Sequence, residues 1–143
     1  MILAALLAAA MPSGGLLLVE VTNVRNGTGR VHVDLCDERT FLEDGCPYAG
    51  DAPARVGTTM VTVRGVPPGR YAIQAYHDEN ANGRVDRAIF GIPKEGVGFS
   101  RDARIRFGPP KWADAVFAFH GGAERTALRL RYFVGAGGPP AAR

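Results

Sequence analysis

The chain has 143 residues, 46% of them hydrophobic, and its 17 Lys and Arg against 14 Asp and Glu give a formal net charge of +3. That length favours a single domain with room for a packed core, and the modest charge is not typical of a nucleic-acid-binding protein. The 19 Gly and 10 Pro residues stand between apolar runs, which favours short strands joined by turns over long helices.

The first predicted element is a leader. The stretch MILAALLAAAMPSGG contains an apolar run that ends in small residues, as secretory signal peptides do. The run is too short to span a bilayer, and no other segment is long and apolar enough to form a transmembrane helix. Because no basic residue precedes the run, a loosely docked tail is the alternative. We therefore expect residues 1–14 to be a signal peptide or leader remnant, and the protein to be periplasmic or secreted.

The folded domain is expected over residues 15–134, beginning with two hairpins. LLLVEVTNV and RVHVDLCD flank the turn sequence RNGTG, and Val31, Val33 and Leu35 alternate with polar residues. GTTMVTVRGV and RYAIQAYH flank the turn sequence PPG in the same way. Both arrangements predict a strand, a tight turn and a returning strand.

The C-terminal part predicts two more strands, ADAVFAFH and RTALRLRYFV, which are joined by the turn GGAE. Residues 135–143 offer little to bury and are expected to be a flexible tail. About seven short strands with turn signals predict an all-β protein, a two-layer antiparallel β-sandwich of the Ig-like or transthyretin-like kind with one long irregular loop.

Two cysteines, Cys36 and Cys46, lie ten positions apart. In an exported protein a disulfide is the expected state of such a pair, and two thiols alone cannot form a structural zinc site. Two buried thiols are the alternative in a reducing compartment.

The long loop contains the spacing D-x-N-x-N-G-x-x-D. Calcium takes six to eight oxygen ligands, and a loop of this kind supplies them from positions one, three, five, seven and nine. Position twelve is Ile89, so this is not a complete EF-hand loop, and Glu95 is the candidate for the missing carboxylate. A plain turn is the alternative, because tight connections use the same residue types. The predicted structural calcium site consists of Asp78, Asn80, Asn82, Arg84 (through its carbonyl), Asp86 and Glu95.

No catalytic motif is found in the sequence. G-x-S-x-G, the P-loop and H-E-x-x-H are absent, and His77 beside Asp78 has no assigned nucleophile. We therefore expect a protein that is not an enzyme. Phe90, Phe99 and Trp112 either cap the core or form a platform for a sugar or peptide, and a carbohydrate- or peptide-binding module is the alternative function.

The segments HDENANGRVD, FGIPKEGVGFS and PKWADAVF resemble a bacterial family of exported proteins known as domain of unknown function 2141. The resemblance implies a secreted or periplasmic β-sandwich without an established activity. More distantly, the acidic loop is similar to that of bacterial surface adhesin repeats, in which it binds calcium for rigidity, and the sandwich is similar to transthyretin-like accessory domains. The expected role is a binding or accessory module at the cell envelope, with the partner left open between a protein and a glycan.

Overall fold

The computed structural model describes residues 14–82 and 94–140. In this part of the chain a 3-10 turn (Ser100–Asp102) and one short helix, α1 (Trp112–Ala115), stand between the sixth and seventh strands. No helix of the described residues is long and apolar enough to cross a membrane. The eight strands in the same residues are β1 (Gly15–Val24), β2 (Arg30–Cys36), β3 (Tyr48–Pro53), β4 (Gly57–Val66), β5 (Gly69–Asp78), β6 (Val97–Phe99), β7 (Phe117–Phe119) and β8 (Ala123–Arg129).

The strands form two sheets. Sheet A has the order β4-β1-β8, and sheet B has the order β3-β2-β5-β6, with β7 paired to the first residues of β5. The two sheets pack face to face, which confirms the predicted all-β two-layer sandwich. β1 is antiparallel to β4 but parallel to β8, so one pair departs from the antiparallel pairing that the sequence predicts.

The main core lies between the sheets. Val31, Val33 and Leu35 of β2 are fully buried, as their alternation predicts. Val61 and Val63 of β4 are also buried against them, while their neighbours Met60 and Arg64 are exposed. Burial of these branched side chains, at about 25 cal/mol per Å² of apolar surface, holds the two layers together.

Sheet B is covered on its outer side as well, by a second apolar cluster. Ala72 of β5 points away from the main core and is still fully buried. The predicted Cys36–Cys46 disulfide is present, and it holds the loop that carries Phe41 over this side. The second cluster consists of Cys36, Phe41, Ala72, Phe99, Ala103 and Ala115, with Cys46, Ile105 and Trp112 packed at its margin.

Neither predicted hairpin forms. β1 pairs with β4 and β8, whereas β2 pairs with β3 and β5, so the turn RNGTG carries the chain from sheet A to sheet B. The turn PPG likewise joins β4 of sheet A to β5 of sheet B. Connections between sheets use the same Gly and Pro residues as hairpin turns, so a turn sequence alone does not decide whether the next strand joins the same sheet or the facing one.

Two local elements also differ from the prediction. β3 is an edge strand that the sequence does not signal, since Gly50 and Pro53 disfavour strands. A Cβ atom at Gly50 would lie 2.3 Å from the carbonyl oxygen of Thr62, so the close approach of β3 to β4 requires glycine. The segment ADAVFAFH is not one strand, because Trp112–Ala115 forms α1 and only Phe117–Phe119 is extended.

Loss of the disulfide is expected to destabilise the fold. The bridge joins residues 10 apart, and closing a loop of that size stabilises a protein by about 3 kcal/mol. The double variant Cys36→Ala/Cys46→Ala should lose that much free energy of unfolding in urea denaturation followed by circular dichroism. Reductant should destabilise the wild type similarly and leave the double variant unchanged. A double variant as stable as the oxidised wild type would contradict this account.

Candidate functional site

The long loop begins with a polar turn at the end of β5. Asp78 is only 5% exposed, and its Oδ1 accepts a hydrogen bond of 3.1 Å from the backbone N–H of Asn82. Asn80 Oδ1 accepts from the same N–H at 3.3 Å, and the N–H of Ala81 donates to the Asp78 carbonyl at 3.1 Å. Ala81 has a φ of 54°, the left-handed conformation of a tight turn. The Asp and Asn side chains therefore shape the first turn of the loop.

The returning end of the loop reaches back to this turn. Glu95 is 4% exposed, and its Oε2 accepts a hydrogen bond of 2.7 Å from the backbone N–H of Glu79. The N–H of His77 donates to the Gly96 carbonyl at 2.9 Å. Residues 79 and 95 are thus neighbours, and a buried carboxylate of the returning chain lies against the residue that follows Asp78.

The predicted calcium ligands are partly described. Asp78, Asn80, Asn82 and Glu95 lie at this one end of β5, whereas Arg84 and Asp86 lie outside the described residues. Residues 14–82 and 94–140 contain no group of three or more His, Cys, Asp or Glu side chains arranged for a metal ion.

Arg25 connects the loop to the C-terminal segment. Its Nη2 bonds Glu79 Oε1 at 2.5 Å, and its guanidinium carbon lies 4.5 Å from the centroid of the Tyr132 ring. It also donates to the carbonyl oxygens of Val134 and Ala136 at 2.5 and 3.0 Å. Ala136 belongs to the segment that was expected to form a flexible tail, and residues 134–140 line a cleft with Arg25, Asn26 and Glu79.

Glu79 is held as a carboxylate in this network. Burial raises the pKa of Glu79, but hydrogen bonds from Arg25 and Asn26 outweigh it and leave the pKa below its usual 4.5. Neither Arg25 nor Glu79 is among the site residues that the sequence predicts. No local signal pairs these residues, because they are 54 positions apart and meet only after β1 and β5 have packed.

His77 and Ser100, the side chains that a catalytic interpretation would use, have structural partners. His77 is fully buried, and its ring nitrogens lie 2.9 Å from the Tyr132 hydroxyl and 2.7 Å from the Thr28 carbonyl oxygen. Ser100 is buried, donates to the Ala115 carbonyl at 2.6 Å and accepts from the N–H of Ile73 at 2.9 Å. Through these hydrogen bonds both side chains connect β5 to neighbouring segments of the chain.

Two of the three aromatic residues singled out in the sequence lie at the second apolar cluster. Phe99 is 8% exposed, and Trp112 is half-buried at the margin of the cluster. The Phe41 ring meets each of them at a centroid distance of 6.0 Å in edge-to-face geometry. Phe90 lies outside the described residues. For Phe99 and Trp112, the geometry favours a cap on the core over an open binding platform.

A titratable group lies on the outer face of sheet B. His32 Nε2 is 2.8 Å from Asp34 Oδ1, its Nδ1 is 3.8 Å from Asp51 Oδ2, and its ring packs against that of Tyr76. The hydrogen bond to Asp34 raises the pKa of His32 above 6.5, although burial acts in the opposite direction. Burial, together with surrounding carboxylates that include Asp78, raises the pKa of Tyr76 to about 12. Tyr76 therefore stays a neutral phenol between His32 and the loop.

The protein is therefore a small β-sandwich with a polar turn at the end of β5, and Glu95 of the returning chain contacts this turn. A family model described as an uncharacterized protein conserved in bacteria (domain of unknown function 2141) matches residues 19–127, so the chain belongs to this family. No curated protein matches the chain significantly. A solved pilus-presented adhesin is similar at 12% identity with a TM-score of 0.25, over 85% of this chain. The chain spans 27% of that protein.

The stability of the protein should depend on pH through His32. Because the folded-state pKa is raised above 6.5, the stabilisation is fully present below pH 6.5 and is lost as the pH rises through the folded-state pKa. Urea midpoints should therefore fall between about pH 6 and about pH 8. The effect is modest, because the side chain keeps 24% of its exposure and solvent screens the interaction.

The variant His32→Gln should lose this pH dependence. His120→Gln is the matched control, since His120 contacts Glu124 but remains 77% exposed, and it should leave the dependence in place. An imidazole titration of His32 at or below 6.5, followed by NMR, would contradict the assignment.

Proposed function

We propose that the protein is an exported, non-enzymatic β-sandwich that serves as a binding or accessory module at the cell envelope. In this proposal a structural calcium ion closes the loop after β5. The observation that carries it is that two buried carboxylates, Asp78 from the outgoing chain and Glu95 from the returning chain, each accept a backbone N–H of the first turn of the loop.

Export is supported by the Cys36–Cys46 disulfide. Disulfides persist in oxidising compartments, and those of cytosolic proteins are usually transient. Here Cys36 is fully buried in the second cluster and the bridge fastens a covering loop, so its role is structural. The apolar N-terminal stretch of the sequence agrees with export.

The calcium ion is supported by the oxygen chemistry of the loop. Calcium is a hard cation that binds carboxylates, amide oxygens and carbonyls with flexible geometry. Asp78, Asn80 and Asn82 supply such oxygens from the outgoing chain, and Glu95 supplies a carboxylate from the returning chain. When bound, the ion would cross-link the two ends of the loop and offset the conformational entropy of ordering it, about 1–2 kcal/mol for each residue fixed.

A non-enzymatic role is supported by the bonding of the polar core groups. The two ring nitrogens of His77 and the hydroxyl of Ser100 are already committed to hydrogen bonds within the fold. Neither side chain is exposed, so neither is placed to meet a substrate.

Calcium is expected to raise the thermal stability of the protein. With a Kd of about 0.5 mM, near the weak end for such loops, about 5 mM calcium should add about 1.4 kcal/mol to the free energy of unfolding. Calorimetry in calcium and in chelator measures this difference, and magnesium should produce a smaller one because it requires near-ideal octahedral geometry.

The variants Asp78→Asn and Glu95→Gln should abolish the calcium-dependent difference, whatever their effect on the baseline stability. Glu43→Gln/Asp44→Asn is a control in the exposed part of the disulfide loop and should keep the full difference. An equal response of wild type and Asp78→Asn, or no response of the wild type, would remove the metal from the proposal.

Export can be tested separately in bacterial cells that express the full chain. We expect the protein in the fraction released by osmotic shock, with Cys36 and Cys46 resistant to thiol alkylation until reductant is added. A reduced protein that remains with the cytoplasmic fraction would contradict export while leaving the calcium experiment unaffected.

A further inference from the structure

One loop presents an aromatic ring entirely to solvent. Phe107 lies between the 3-10 turn and α1, and its relative exposure is 108%. The N–H of Arg106 donates to the Gly108 carbonyl at 3.2 Å, which places Phe107 at the tip of a tight turn. The other exposed large apolar residues of the described chain are at most about half exposed, with Val56 at 55% and Phe133 at 45%. Single exposed apolar residues are common on protein surfaces, so the ring indicates an interaction site only together with the anchoring and the charge of its loop.

The loop is anchored on both sides of its tip. Ala103 and Ile105 pack in or against the second apolar cluster before the tip, and Pro110 and Trp112 are at least half-buried after it. Four anchors therefore hold the segment in place, and Phe107 is the large apolar residue of the segment that is fully exposed. The buried residues on both sides of the tip therefore hold the ring in its exposed position.

The tip is also positively charged. Arg104, Arg106 and Lys111 are exposed, and residues 103–111 contain no Asp or Glu. Within the described part of the chain, none of the three cations has a carboxylate oxygen within 4.0 Å, whereas Arg25, Arg30 and Arg125 each form an ion pair. The cations around Phe107 are thus available to an anionic surface.

We propose that the loop 103–111 docks the protein on an anionic phospholipid bilayer, with Phe107 inserted at the boundary between headgroups and acyl chains. Aromatic side chains flanked by Lys and Arg partition to that boundary, where the cations meet lipid phosphates. A protein hot spot instead lies near the centre of an interface, in a well-packed and fully desolvated pocket. Here one ring projects from a convex tip, and a fluid bilayer accommodates that shape without a preformed pocket.

This docking loop is independent of the calcium proposal. Ala103 and Ile105 of the docking loop pack in or against the second apolar cluster with Ala72 of β5, whereas the calcium loop follows Asp78 at the end of that strand. The two features therefore lie at different parts of the same strand. Membrane binding measured in chelator tests the docking loop alone.

Co-sedimentation with vesicles measures the docking directly. At low salt and in chelator, the wild type should bind vesicles that contain phosphatidylglycerol and bind pure phosphatidylcholine much more weakly. Phe107→Ser should lower the partition coefficient at least about fivefold, and Arg104→Gln/Arg106→Gln should lower it about fivefold for each charge removed. Phe107→Trp should retain binding, and the emission of the new indole should shift to the blue on vesicles.

Two control variants distinguish insertion from general attraction. Phe133→Ser removes another exposed ring, and Arg64→Gln/Arg129→Gln removes two exposed charges from sheet A; both should bind as the wild type does. All of these positions are exposed, so the folding of each variant can be verified by its unfolding curve. Wild-type binding by Phe107→Ser, or an equal loss for Arg64→Gln/Arg129→Gln, would overturn the proposal. So would the absence of any binding to anionic vesicles.

Discussion

The rest of the structure depends on β5, the strand that is buried on both of its faces. Tyr71, Ile73 and Ala75 face sheet A, while Ala72 faces the opposite side, and all four are almost inaccessible to water. A strand with two apolar faces must be covered twice. The first cover is sheet A. The second is built from the disulfide loop, Ala103 and α1, with Phe99 contributed by the neighbouring strand β6, because no further sheet is present on that side in the described residues.

The polar loop follows from the same strand. β5 runs out of the core at Asp78, so the chain must change direction where side chains and backbone groups are still largely buried. Buried polar groups need partners, and the carboxylates of Asp78 and Glu95 accept backbone N–H groups at this point. Arg25 extends the network from Glu79 to the C-terminal segment. The end of β5 therefore joins three parts of the chain that are distant in sequence.

Most of the strands could be predicted from the sequence, but β3 and the pairing partners of the strands could not. Alternation of apolar residues is a local property, and it correctly places Val31, Val33, Leu35 and Leu128 in the core. The turns RNGTG and PPG could each lead to a hairpin partner or to a strand of the facing sheet. Which of these forms depends on how the apolar faces of the strands pack, and a turn sequence carries no information about that packing. The candidate sites were likewise only partly predictable. Asp78, Asn80 and Asn82 stand out by their spacing in the sequence. Arg25 is identified only by its contacts with residues distant in the chain, and Phe107 only by its exposure in the fold.

Phe107 differs from Phe41 and Phe99, the two phenylalanine rings that are buried in the second cluster. Ile105 and Pro110, which stand on either side of the tight turn, are at least half-buried, whereas the ring at the tip of the turn is fully exposed. Arg104 and Arg106 are exposed in the same segment. In our proposal the loop therefore presents its aromatic ring and its cations to the bilayer together, so that insertion of the ring and attraction to lipid phosphates act at the same point.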